Sequence, residues 1–327
     1  MRSYVEISVM NIRLIHRGVA VALIVLTSTA FCKSAWAQAA KTSAQLRSIT
    51  VSSEPGAVLW IDGVRYGKTD KNGSLEIRTV SAGAHTLRVR ADGFKEKSQP
   101  LTAVQKGEVR VVLVKTSDEA ELAYQEAERL AGTDREKSAE AYKKAISSRP
   151  NFPEAFVGLA RVLSDSGDFE VAQKTIVSAL KLRPGYPEAS AVMGRIYKEN
   201  GEEVKAVAAF KRAITEGKGF QPEAYAGLGL LYKEKAEGFG GSGDFANENA
   251  NYTESAKNLK MAVKQLSGAP DAMVIYQLLG LIYERQKKYT DAIALYEEFL
   301  RIFPDTAEAA AVRSFIVQLR KDQTPQN

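Results

Sequence analysis

Few side chains in this sequence could do covalent or acid–base chemistry. Its two histidines are His16 and His85, and its one cysteine is Cys32. Two of those three lie in an N-terminal stretch with the features of a discarded segment, which leaves His85 alone. A histidine proton relay, a thiol nucleophile or a zinc ligand set needs more than that. No Gly-Lys-Ser/Thr loop follows a strand pattern, and no dinucleotide fingerprint opens a helix. The glycine-rich stretch Gly238 to Gly243 falls between two helical patterns, which is the wrong context for cradling phosphate. Carboxylates are plentiful, but they sit on helix faces where solvation is their ordinary state. The sequence therefore points away from an enzyme, with no cofactor and no metal.

The remaining candidates are binding residues. Arg78, Arg88 and Arg90 fall on the polar phase of alternating segments, and residues 46–115 carry 12 basic against 7 acidic side chains. The ordinary reading is a solvated basic face; the sharper one is a patch for an acidic polymer. Trp60 is out of phase with Leu59 and Ile61, so it points to the opposite face. There it could stack on a sugar ring or lie under a neighbouring loop. His85 precedes a strand in a Gly-Ala-His turn, where a structural role is the default.

The elements that position these residues begin with an address. Arg13, His16 and Arg17 precede the apolar run Gly18 to Phe31, and Ala35-Trp36-Ala37 supplies a small-x-small exit. This is the composition of a secretory signal peptide, expected over 1–37, with 38–45 as a linker. The run is shorter than the roughly 20 apolar residues of a bilayer span, so no stable span is expected after cleavage. Met10 is an alternative start. Phe31 before Cys32 disfavours lipid modification. Export implies the periplasm or outer envelope of a bacterium. Without residues 1–37 the formal charge falls from +6 to about +3, too weak to argue for nucleic acid.

From 46 to 115 the pattern alternates: Ile49 and Val51, Leu59 and Ile61, Leu75 and Ile77, Leu87 and Val89, Val109 and Val111. Turn pairs separate the runs, namely Pro55-Gly56, Asp62-Gly63, Asn72-Gly73, Ala82-Gly83 and Asp92-Gly93. Short strands with regular turns predict a small all-β sandwich. Glu54-Pro55-Gly56-Ala57, Leu59-Trp60-Ile61-Asp62-Gly63, Gly67-Lys68-Thr69, Ala82-Gly83-Ala84-His85 and Gly93-Phe94 resemble the PEGA domain family in order and content. Thr69 to Gly73 is also similar to carboxypeptidase regulatory-like domains. Either resemblance implies a non-catalytic extracytoplasmic module, often in contact with surfaces or polysaccharide.

From Glu119 the period becomes helical and repeats. Pro153-Glu154, Pro187-Glu188 and Pro222-Glu223 recur at spacings of 34 and 35 residues. Proline suits a first helical turn, and glutamate there complements the macrodipole. Leu159, Ala160 and Leu163 are echoed by Met193, Gly194 and Tyr197, by Leu228, Gly229 and Tyr232, and by Leu279, Gly280 and Tyr283. This resembles the tetratricopeptide repeat. The expectation is an all-α solenoid of five repeats over 119–320, ending in a capping helix from Thr306 to Lys321, with 321–327 a flexible tail. The fourth repeat carries an insertion, Glu237 to Asn251, expected to be a tolerated loop.

The repeat resemblance implies a concave groove lined by first helices, a site for a protein or peptide partner. Projected onto it are Arg161, Arg195, Lys198, Leu230, Lys233 and Leu281. No asparagine occupies the places used to clamp a terminal carboxylate. Arg161 and Arg195 at equivalent positions suggest an acidic segment as the partner. Two readings stand: an envelope scaffold using the groove, or a β domain that binds cell wall or polysaccharide while the repeats carry a cargo.

Overall fold

A computed structural model describes residues 46–323. The expected signal peptide and linker, with Cys32, lie outside the described residues, as do 324–327.

Nine strands come first among the described residues: β1 (Arg47–Ser52), β2 (Val58–Ile61), β3 (Val64–Lys68), β4 (Ser74–Val80), β5 (His85–Arg90), β6 (Phe94–Lys95), β7 (Lys97–Leu101), β8 (Gly107–Arg110) and β9 (Val114–Lys115). One sheet has the order β4-β1-β8, with β1 and β8 parallel; a second has the order β3-β2-β5-β7 and is antiparallel throughout; β6 and β9 form a short antiparallel pair. Register follows the apolar alternation: Leu59 faces Val89 and Ile61 faces Leu87. The buried core draws Ile49, Val51, Ile77 and Val109 from the first sheet and Leu59, Ile61, Leu87, Val89 and Leu101 from the second. Alternation thus places one face of each sheet in a shared interior. Gly73 has φ 77°, and a Cβ there would lie 2.1 Å from the Ser53 carbonyl oxygen, so the β-turn before β4 requires glycine.

Eleven helices follow: α1 (Glu119–Leu130), α2 (Arg135–Ser148), α3 (Pro153–Asp165), α4 (Phe169–Leu182), α5 (Pro187–Glu199), α6 (Glu203–Glu216), α7 (Pro222–Gly241), α8 (Phe245–Leu266), α9 (Ala272–Arg285), α10 (Tyr289–Ile302) and α11 (Ala309–Gln323). Proline opens α3, α5 and α7. Asp118 caps α1, accepting from the backbone N–H groups of Ala120 and Glu121. Small residues let paired helices close. Gly194 lies under Phe210, Gly229 under Leu259 and Gly280 under Tyr296, each so near that a Cβ would overlap the side chain. Helix pairs stacked this way share continuous apolar clusters from one repeat to the next.

Two expectations are corrected. The insertion is not a loop. α7 is 20 residues long and α8 is 22, and only Ser242 to Asp244 turn between them. Asp244 caps α8 by accepting from Asn247 N–H, Gly243 supplies φ 80° for the turn, and the Glu248 carboxyl packs against Gly240. The glycines that suggest a loop are the small surface on which α8 rests. Residues 321–323, expected in the tail, continue α11.

Candidate interaction surface

The first helices α3, α5, α7 and α9 carry the projected groove residues. Arg161 on α3 reaches over α5 to α7: its Nη1 and Nη2 donate to the two carboxylate oxygens of Glu223 at 2.6 and 2.5 Å. Glu188 lies 3.6 Å from the same guanidinium. Burial alone would lower the Arg161 pKa, but the charge and hydrogen bond of Glu223, with Glu188 behind them, outweigh it and hold the group charged. Arg195 pairs with Asp165, the Lys198 ammonium lies 2.8 Å from Glu234, and Lys233 lies 2.6 Å from Glu237. All four projected cations are therefore neutralised within the chain. The basic end expected to meet an acidic segment is a ladder of internal ion pairs. Sequence reasoning projects Asp165 and Glu234 onto the same groove but does not pair them with these cations, and it does not place Glu188, Glu223 or Glu237 there. Glu188 and Glu223 had a signal, since each follows a helix-opening proline, but it suggested only a dipole role.

The two projected leucines behave differently. Leu230 is half-buried, and Leu281 is 57% exposed. Leu281 borders a cleft of about 540 Å³, lined also by Lys233, Glu237, Tyr252, Ile282 and Arg285. One wall is Glu248, which is buried and accepts from Arg285 Nε and Nη2 at 3.0 and 2.8 Å. The cleft owes that wall to the extended α7 and α8.

The β-domain candidates do not form one patch. Arg78 stands on β4 in the first sheet, exposed, 2.9 Å from Glu76 and 3.3 Å from Asp305. Arg88 and Arg90 stand on β5 in the other sheet, beside Trp60. The Arg88 guanidinium lies 4.3 Å from the Trp60 ring centroid and 3.6 Å from Glu96. Arg90, expected on a solvated face, is buried because α1 covers it. It lies over the Tyr124 ring at 4.6 Å, bonds Glu96 through Nε and Nη2, and lies 3.7 Å from Glu128. Burial acts to lower its pKa, and Tyr124, Glu96 and Glu128 more than offset it. His85 ties a turn together: Nδ1 is 2.6 Å from Asp62 Oδ2, and Nε2 is 3.0 Å from the Ser81 carbonyl oxygen.

Residues 46–117 match the PEGA domain, and residues 157–222 and 274–306 match the tetratricopeptide repeat. The chain carries a PEGA domain and tetratricopeptide repeats. None of the curated proteins matches it. Among solved structures, the chain is similar to a thermophilic TPR protein of Thermus thermophilus (17% identity, 62% of this chain and 99% of that one, TM-score 0.43). It is also similar to MamA from Desulfovibrio magneticus RS-1 (19%, 63% and 98%, TM-score 0.38) and to yeast Tom70 (16%, 63% and 41%, TM-score 0.49). The tetratricopeptide repeats support a protein-interaction scaffold. Among the described residues, no helix is long and apolar enough to cross a membrane, and no group of three or more His, Cys, Asp or Glu could hold a metal ion.

Proposed function

We propose that this chain is an exported, non-catalytic scaffold that binds a protein or peptide partner on the concave face of its repeats, where α7, α8 and α9 meet. The observation that carries the reading is the cleft beside Leu281, because it joins exposed apolar surface to charged groups already satisfied by one another. A partner with an apolar anchor gains burial there without stranding an ion. The ion-paired floor of Arg161, Arg195 and Lys198 makes an acidic peptide the poorer candidate. Export rests on the sequence of residues 13–37 and on the PEGA domain. A polysaccharide ligand on the β domain has weaker support, because Arg88 covers a face of the Trp60 ring.

The test is photo-cross-linking in intact cells from a probe at Gln277, which is exposed one turn from Leu281 on α9. One dominant protein adduct, lost in Leu281→Glu, is the expected result. An adduct pattern unchanged by Leu281→Glu would overturn the site. Retention of the chain in the cell-wall fraction without a protein adduct would move the function to the PEGA domain.

A further inference from the structure

The PEGA domain touches the array at two places far apart in sequence. The first is repeat one. Only residues 116–118 separate β9 from α1. The Gln125 side chain on α1 accepts from Gly93 N–H at 2.9 Å and donates to the Phe94 carbonyl at 2.8 Å, satisfying the backbone of the β domain as a neighbouring strand would. Arg90, wedged between Trp60 and Tyr124, completes this contact.

The second contact is with repeats four and five. Val64 on β3 is buried, and it belongs to the apolar cluster built by α8, α9 and α10 rather than to the β-domain core. The Tyr66 hydroxyl lies 3.3 Å from the Ser267 carbonyl and 3.5 Å from that of Leu266. Ser267 Oγ donates to the Thr79 carbonyl at 3.2 Å, and Thr79 Oγ1 lies 3.4 Å from the Gly268 carbonyl. Gly268 has φ 79°, and a Cβ there would stand 2.6 Å from Thr79 and 2.8 Å from Ile302, so the α8–α9 turn is shaped to receive β4. Between the two contacts, Asp62 to Arg65 face Arg161, Glu188 and Glu223 across a cleft of about 560 Å³.

We infer that the PEGA domain is a clasp that joins the first repeat to the fourth and fifth and so fixes the curvature of the array. A solenoid held only by neighbour contacts has soft curvature, because each repeat touches only the next. A contact between residues about 190 apart in sequence converts the open array into a closed ring. The β domain then covers the concave face at the start of the first helices. Access to the groove is left to their far ends, where the Leu281 cleft lies. The clasp stands on contacts within the chain and does not depend on which partner binds.

The experiment measures the span between spin labels at Lys143→Cys on α2 and Arg313→Cys on α11, in the full chain with Cys32→Ser; both label sites are exposed. The unaltered clasp should give one narrow distance distribution. Val64→Asp places a charge in the helical cluster and should broaden the distribution and lengthen its mean while the helical circular dichroism is retained. Lys174→Ala, which removes only an exposed ion pair within α4, should leave the distribution as it was. If Val64→Asp unfolds the chain, Gly268→Ala, which collides with Thr79, takes its place. An unchanged narrow distribution in the folded variant would show that the array sets its own curvature and would overturn the clasp.

Discussion

Arg161 and Glu223 lie 62 residues apart and form a two-pronged ion pair that spans from the second repeat to the fourth. The two residues do not belong to adjacent repeats, so the pair couples positions that nearest-neighbour stacking leaves independent. Removing Arg161 leaves the Glu223 carboxylate half-buried and unpaired, whereas removing Glu223 leaves Arg161 its longer contact with Glu188. Breaking a buried pair costs about 3–5 kcal/mol, and the partial exposure here lowers the expectation for Arg161→Ala to roughly 2–3 kcal/mol in denaturant unfolding. A double-mutant cycle with Glu223→Ala should show coupling above about 1 kcal/mol. Additive single effects would show that the two side chains do not cooperate.

Glycines within the array should respond to alanine with opposite signs. At Gly280 a Cβ would lie 2.2 Å from the Tyr296 hydroxyl, which itself donates to Glu284 at 2.7 Å. Gly280→Ala should destabilise by about 1–3 kcal/mol through overpacking. At Gly238, inside α7, nothing lies within 4 Å of the added carbon. Gly238→Ala should stabilise by about 0.5–1 kcal/mol through helix propensity alone. Thermal melts of the two variants check the pair, and a shared sign would contradict the packing described.

Burial pushes the Tyr66 phenol up to about 12; the charge of Asp62 adds to the effect and the bond to Ser267 opposes it. In the unfolded chain the phenol ionises near its ordinary value of about 10. Its folded pKa is raised, so the protonated phenol contributes stability that is whole below pH 10 and is lost as pH rises toward 12. Tyr66→Phe cannot ionise, and it should lose less stability over that window than the unaltered chain. Denaturant midpoints from pH 9 to 12 make the comparison. Parallel curves would mean that Tyr66 is not protected by the contact with the α8–α9 turn.

The helical insertion makes a local prediction. Asp244→Ala removes the cap of α8, at a cost of about 1 kcal/mol. Backbone amides of residues 245–251 should then exchange faster with deuterium, while those near Leu259 should not. Amides that exchange at the loop rate before and after the substitution would restore the loop reading.

Those residues also mark where sequence reasoning stopped. Gly238 to Gly243 read as a loop because glycine is costly in an isolated helix. The structure places Gly240 where the Glu248 carboxyl needs room, a contact invisible to composition. Arg90 read as solvated because it alternates with Val89, yet alternation specifies only which face of the sheet a residue takes. Whether water or α1 covers that face depends on a segment about thirty residues away.

Local periodicity by itself determined the two architectures of this chain. A period of two with regular turns made the β sandwich, and a repeated helical pattern of small and large residues made the array, because each pattern buries one face of its own element. The tertiary structure alone decided what the exposed faces meet. It neutralised Arg161, Arg195, Lys198 and Lys233 within the chain, left Leu281 open, and drew Tyr66 and Thr79 onto a turn about 190 to 200 residues away. Such contacts depend on the summed curvature of five helix pairs. No window of sequence contains that sum.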